Sequence, residues 1–312
     1  MKKASLILFL TTVSIAAHAQ LGTPLTQYSG NQMVYNPAYA GVYNLLAANL
    51  SMRKLWVGLP GSPSLFSVNA HAPIRNSRNA LGLIIQREQW GASIGHYAYA
   101  NYAHKFYLED GVLNFGLQVG VFNLATDWNK IDYVEDWDDP ALGKGRVSST
   151  HFDANFGIYY QASDFYLGFS AKHLTQSKYE FLTLPTNDEL WFSQKRMEFF
   201  FIGGLNLILS DNWVLRPEYL IRYVHTTPTT FNVGAHLGYR RKHFVGLNLQ
   251  TGQKAVSITG RTMVTPELWI GYSYDMYYGI VRPYQKGSHE LSISYYIDSF
   301  WNKSKPKQKY LV

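Results

Sequence analysis

From residue 44 onward the chain alternates apolar and polar positions with a period of two. In "VLNFGLQVGVFNL", Leu113, Phe115, Leu117, Val119 and Val121 share one face, and Asn114, Gly116, Gln118 and Gly120 share the other. "HFDANFGIYYQ" repeats this, with Phe152, Ala154, Phe156, Ile158 and Tyr160 set against His151, Asp153, Asn155 and Gly157. In "WVLRPEYLIRYV" the charges Arg216, Glu218 and Arg222 alternate with Leu215, Pro217, Tyr219, Ile221 and Tyr223. Successive strand side chains point to opposite faces, so each segment has one apolar side and one polar side. The pattern predicts about fourteen strands of roughly 9–13 residues, the length that crosses a bilayer when tilted. They fall near 44–53, 63–72, 79–89, 93–107, 111–123, 151–161, 164–174, 196–209, 212–224, 229–241, 243–251, 254–263, 266–278 and 287–298.

The connections sort by parity. The tight turns "LEDG", "QASD" and "LSDN" all follow even-numbered strands, whereas the long connections 124–150 and 174–195 follow odd-numbered ones. An outer-membrane barrel has short periplasmic turns and long outer loops, so this parity places both chain ends in the periplasm. An even strand count lets the first and last strands pair and leaves no edge in the lipid. The predicted fold is an all-β, transmembrane outer-membrane β-barrel of about 14 antiparallel strands. It divides into a signal peptide (1–19), an N-terminal periplasmic segment (20–43), the barrel (44–298) and a basic periplasmic tail (299–312).

Composition fits a barrel better than a secreted β-sandwich. Lys2 and Lys3, the run "ASLILFLTTVSIAA" and the small-x-small site Ala17–Ala19 are the parts of a secretory signal, with cleavage expected after Ala19. Aromatic residues reach 16% and charged residues only 16%, where about 25% charged is usual for a soluble domain. The polar faces are largely Asn, Gly, Ser, Gln and His, with less Lys and Glu than the outer face of a sandwich carries. The net charge of +7 falls to +5 once Lys2 and Lys3 are removed, and Lys303, Lys305, Lys307 and Lys309 sit in the tail. The body is therefore nearly neutral, which excludes nucleic acid as a partner. With no cysteine there is no disulfide framework, so stability comes from packing and hydrogen bonds.

Candidate chemistry is sparse. "GASIG" (91–95) matches G-x-S-x-G, but strand alternation follows Ser93 where the motif needs a strand–turn–helix corner. His151 and Asp153 share a strand face without a convincing nucleophile or second carboxylate. The loop "TDWNKIDYVEDWDDP" gathers acids in a spacing unlike an EF-hand, and its Trp128, Tyr133 and Trp137 form a partner-contact surface. Arg216, Glu218 and Arg222 form a polar network in the lumen. The lysine tail can meet anionic outer-membrane lipid or an acidic partner. No catalytic residue, metal ligand or cofactor site is predicted, and the chain is not expected to be an enzyme.

"QYSGNQMVYNPAYAG" (27–41), "RKLWVGLPGSP", "LNFGLQVGV", "FYLGFSAKHL", "GYSYD" and "GSHEL" appear in an order that resembles the PorP/SprF family of type IX secretion system membrane proteins. The motif positions are Asn36, Pro37, Tyr39, Gly41, Arg53, Trp56, Gly58, Gly287, Ser288, His289 and Glu290. The resemblance implies an outer-membrane protein of Bacteroidetes-type bacteria that serves type IX secretion and, in some members, gliding motility. It implies docking or anchoring of a secreted surface protein bearing a type IX C-terminal signal. It also implies periplasmic partners, a ring-forming lipoprotein complex and a peptidoglycan-binding protein. A porin-like diffusion channel is the alternative, and an outer-membrane hydrolase using His151 and Asp153 is a third. In "GSHEL", strand alternation sends Glu290 to the lumen and His289 outward.

Overall fold

The computed structural model describes residues 23–74, 78–131, 145–180 and 192–297. Fourteen strands form its wall: β1 Leu46–Lys54, β2 Ser64–Pro73, β3 Asn79–Trp90, β4 Ser93–Leu108, β5 Gly111–Asp127, β6 Arg146–Ala162 and β7 Phe165–Lys172. The second half comprises β8 Glu198–Leu205, continued by Leu207–Ile208, then β9 Trp213–Val224, β10 Thr227–Tyr239, β11 His243–Gln250, β12 Ala255–Met263, β13 Leu268–Tyr277 and β14 Ser288–Ile297. Each strand pairs antiparallel with its sequence neighbour, and β1 pairs with β14 from Leu46↔Ile297 to Lys54↔His289, closing a barrel. The break at Asn206 lies opposite β9 where Pro217 interrupts the ladder, because proline has no N–H to donate. Strands β4 to β6 run to 16 or 17 residues, longer than the alternation indicated.

The faces sort as predicted. Leu117 is 54% exposed and Gln118 beside it 2%. Leu81, Leu83 and Ile85 on β3 and Val245, Leu247 and Leu249 on β11 are likewise exposed, giving an outward apolar belt suited to lipid. All connections longer than eight residues among the strands (55–63, 128–145, 173–197 and 278–287) lie at one mouth, and the other mouth carries only turns of five residues or fewer. The 173–197 connection carries a small hairpin, Lys178–Glu180 paired with Phe192–Gln194.

The N-terminal segment departs from the sequence expectation. Instead of lying outside the barrel, residues 25–41 fill it: Leu25, Thr26, Tyr28, Ala38 and Ala40 are fully buried, and Asn31, Gln32 and Asn36 nearly so. Three 3₁₀ turns, Tyr28–Gly30, Gln32–Val34 and Pro37–Tyr39, fold it into a plug. The plug makes one core with wall residues Ile84, Tyr99, Phe122, Tyr159 and Ile202. Thr23 donates its N–H to Glu88, two residues before β3 ends at the long-loop mouth. Lys105 at the opposite mouth holds Asn44. The segment therefore descends the lumen before β1 begins. Among the described residues the chain starts at the long-loop mouth and ends at the short-turn mouth, which separates the two ends that parity alone had put on one side.

Two inward glycines make room for the plug. A Cβ on Gly116 would collide with the Ala38 backbone, and one on Gly157 with the Asn36 side chain. Gly116→Val and Gly157→Val are therefore expected to leave the barrel closed but weaken seating of residues 36–40, costing about 1–3 kcal/mol. Hydrogen exchange of the Ala38, Tyr39 and Ala40 amides measures this; protection equal to the parent protein would show that the plug does not rest on these glycines.

Candidate functional site

The plug's lower half is set by the residues "NPAYAG". Asn36 caps the Pro37–Tyr39 turn, its Oδ1 accepting from the Ala38 N–H at 2.9 Å, and Pro37 occupies the first helical position. The Asn36 amide also donates to the carbonyls of Ile158 on β6 and Phe169 on β7 at 2.9 and 3.1 Å. Tyr39 packs edge-on against Tyr159 and His71, each with ring centroids 5.5 Å away. Gly41 has φ +72°, a left-handed conformation suited to glycine, and its N–H donates to His71 Nδ1 at 3.0 Å. Turn, cap and glycine together aim the chain at the start of β1.

The upper half is held by a buried ion cluster. Arg53 on β1 reaches Glu290 on β14 at 2.8 Å and Asp275 on β13 at 2.6 Å, with all three side chains at most 1% exposed. Glu290 accepts from the Thr26 N–H at 2.7 Å and the Gln27 N–H at 3.0 Å, while the Thr26 hydroxyl donates to Asp275 and accepts from Arg53. One guanidinium and two carboxylates thus join three strands to the plug backbone.

The remaining motif residues complete the same region. Trp56, with φ +45°, donates its N–H to Ser288 Oγ at 3.0 Å, and its indole packs against Tyr277. Val57 and Lys286 donate to the carbonyls of Gly287 and Val57, linking the β1–β2 and β13–β14 loops, where Gly58 and Gly287 have φ of +94° and +91°. Motifs some 230 residues apart in sequence therefore form one structure over the barrel seam. His289 lies on the outer face against Tyr272 and Tyr274, opposite to Glu290.

The other predicted groups fall into separate contacts. Arg222 makes a two-pronged pair with Glu198 on β8 (2.9 and 3.0 Å), Glu218 meets His236 at 3.2 Å, and Arg216 stacks on Phe244 at 4.7 Å. They share the lumen face but not one network. Asp153 does not take His151, which lies against the Phe122 ring; it binds His173 at 2.6 Å and Tyr99 at 2.8 Å. Glu198 and His173, the partners that the sequence reading missed, carry a detectable signal only in Glu198, an acid starting the inward face of a strand. Ser93 opens β4 directly after a two-residue turn and bonds Thr126. Trp128 begins a 3₁₀ turn at the long-loop mouth; Tyr133 and Trp137 lie outside the described residues.

The profile of the family described as "Type IX secretion system membrane protein PorP/SprF" matches residues 17–295. No curated protein matches the chain. Among solved structures, the fold is similar to the Ralstonia pickettii toluene transporter TbuX (TM-score 0.51, 10% identity, 85% of this chain and 92% of that one). Others include Acinetobacter baumannii outer membrane protein Omp33 (TM-score 0.45, 6% identity, 82% and 99%) and the translocator domain of the autotransporter NalP from Neisseria meningitidis (0.46, 11%, 86% and 95%). At such identities the likeness to TbuX concerns the fold alone.

Arg53→Ala leaves Glu290 and Asp275 buried without their cation, an arrangement that costs about 3–5 kcal/mol. Lys130→Ala removes only an exposed pair with Asp127 at 3.9 Å and should cost under about 1 kcal/mol. Urea unfolding of both variants in lipid vesicles measures the difference; equal midpoints would deny the cluster its structural role.

Proposed function

The chain belongs to the PorP/SprF family of type IX secretion system membrane proteins, and from that membership we propose that it is a docking and anchoring component of the machinery, not a conduit. It is an outer-membrane β-barrel. Its long-loop mouth engages a secreted surface protein through the C-terminal signal region. Its short-turn mouth engages the periplasmic ring lipoprotein complex and a peptidoglycan-binding protein. The orientation follows the general rule that short turns of such barrels are periplasmic. In that orientation Thr23 lies at the cell-surface mouth.

The observation that carries this reading is the filled lumen. Barrels of about 8 strands are filled by their own side chains, and those of 16–18 leave a water channel. Fourteen strands enclose more space than wall side chains fill, and here residues 25–41 occupy it with Tyr28, Tyr35 and Tyr39 as the large buried groups. A secreted polypeptide has no path through such an interior, so contact at the mouths is the role left to this barrel.

The purified protein is expected to be silent in planar-bilayer conductance measurements, whereas deletion of residues 23–40 should produce a sustained current. Robust conductance by the intact protein would favour the diffusion channel. In native membranes, removing 128–145 and 173–197 should abolish co-purification of the secreted protein; undiminished recovery would overturn recognition by the outer loops.

A further inference from the structure

The short-turn mouth holds a cavity of about 830 Å³, roofed by the end of the plug at Tyr43 and flanked by Tyr296 on β14. Glu109 and Asp110 from the β4–β5 turn, Asp164 from the β6–β7 turn and Glu267 from the β12–β13 turn all line it, and no Lys or Arg does. All four carboxylate residues are exposed, and none has an ion-pair partner among the described residues. Such a cup selects a cationic segment with apolar or aromatic side chains.

The sequence supplies one at that place. Tyr296 lines the cup and Ile297 ends β14, and the chain continues with "DSFWNKSKPKQKYLV". This stretch carries Lys303, Lys305, Lys307 and Lys309 against a single acid, Asp298, together with Phe300, Trp301 and Tyr310. An extended chain advances about 3.3–3.6 Å per residue, so six residues carry Lys303 roughly 20 Å from Ile297, enough to reach across the cup. A segment tethered to the rim is present at an effective concentration of the order of millimolar, which lets individually weak surface charge pairs act together. We propose that the cup is a binding site for a lysine-rich polypeptide segment and that its resident occupant is this chain's own residues 299–312. A partner docking at this mouth must then displace the tail or present a segment that competes with it. The inference rests on volume, charge and tether, and holds whichever compartment the mouth faces.

The chain has no cysteine, so an engineered pair reports proximity without background. Ser304→Cys in the tail is combined with Ser163→Cys in the cup or, as the control, with His225→Cys in the short β9–β10 turn of the opposite mouth. Disulfide formation is followed in the purified full chain, with urea unfolding confirming that each variant is folded. The cup pair should cross-link about tenfold faster than the control at low salt, the gain expected of a tethered segment. It should fall several-fold, toward the rate the tether alone gives, when Glu109, Asp110, Asp164 and Glu267 are changed together to Gln or Asn, and at 1 M salt, where charge interactions are screened beyond about 3 Å. Equal rates for both pairs, or a fast cup pair indifferent to the four neutralisations, would overturn the proposal. Loss of the cup cross-link in vesicles containing anionic lipid would overturn it too, since the tail would then reside on the membrane surface.

Discussion

The Arg53 guanidinium, buried between Glu290 and Asp275, is the contact on which the rest of the arrangement depends. It ties β1 to β13 and β14, and its carboxylate partners hold two backbone amides of the plug. Exchanging a buried ion cluster for apolar residues of the same shape is often neutral or stabilising, so stability alone does not account for it. Register does. A slip of one residue along β1 would turn Arg53 to the lipid and leave two carboxylates in the lumen. The closure of the barrel and the height of the plug are thereby specified by the same three side chains.

The plug itself is neutral. Residues 23–45 contain no Asp, Glu, Lys, Arg or His, and every charge that touches them belongs to the wall. Glu88 and Glu290 accept from plug amides, Lys172 donates to the Val34 carbonyl, and Lys105 donates to Asn44. The phenols of Tyr28, Tyr35 and Tyr39 are buried in the core shared with the wall, and the Tyr35 hydroxyl accepts from the Leu25 N–H at 2.7 Å. A segment without charge has no desolvation penalty for ions of its own, and the wall supplies the directional bonds that hold it.

The barrel was legible in the sequence because lipid imposes a period of two on every strand and a parity on every connection. The outward Leu117 beside the inward Gln118, and Glu290 beside His289, show that this period carries through to the observed faces. The plug was not legible for the converse reason. Its 3₁₀ turns have no repeating period, and Asn31, Gln32 and Asn36 are polar residues of the kind that mark exposed loops, although all three are buried. Their partners are wall groups distant in sequence, as with Asn36 and the Phe169 carbonyl, 133 residues away. The likeness of "RKLWVGLPGSP" and "GSHEL" to family motifs pointed to importance without revealing that Arg53 and Glu290 serve one contact. Asp153 follows the same logic: its sequence neighbour on the strand face, His151, loses to His173 because the β7–β8 connection folds back over the lumen.

A filled barrel and a family of secretion proteins need reconciling, and the direction of the plug does so. Because the described chain begins at the long-loop mouth, crosses the lumen and only then enters β1, the interior is occupied by a segment fixed at both mouths. Glu88 and the Arg53 cluster hold its upper end, and Lys105, His71 and the Gly41 turn its lower end. A segment anchored at one mouth alone could swing aside as a lid. One anchored at both is part of the core, since moving it would expose Leu25, Met33 and Ala38 while leaving Arg53 and its carboxylates without their plug partners. Plug and wall therefore share one core, and the barrel presents two chemically distinct mouths.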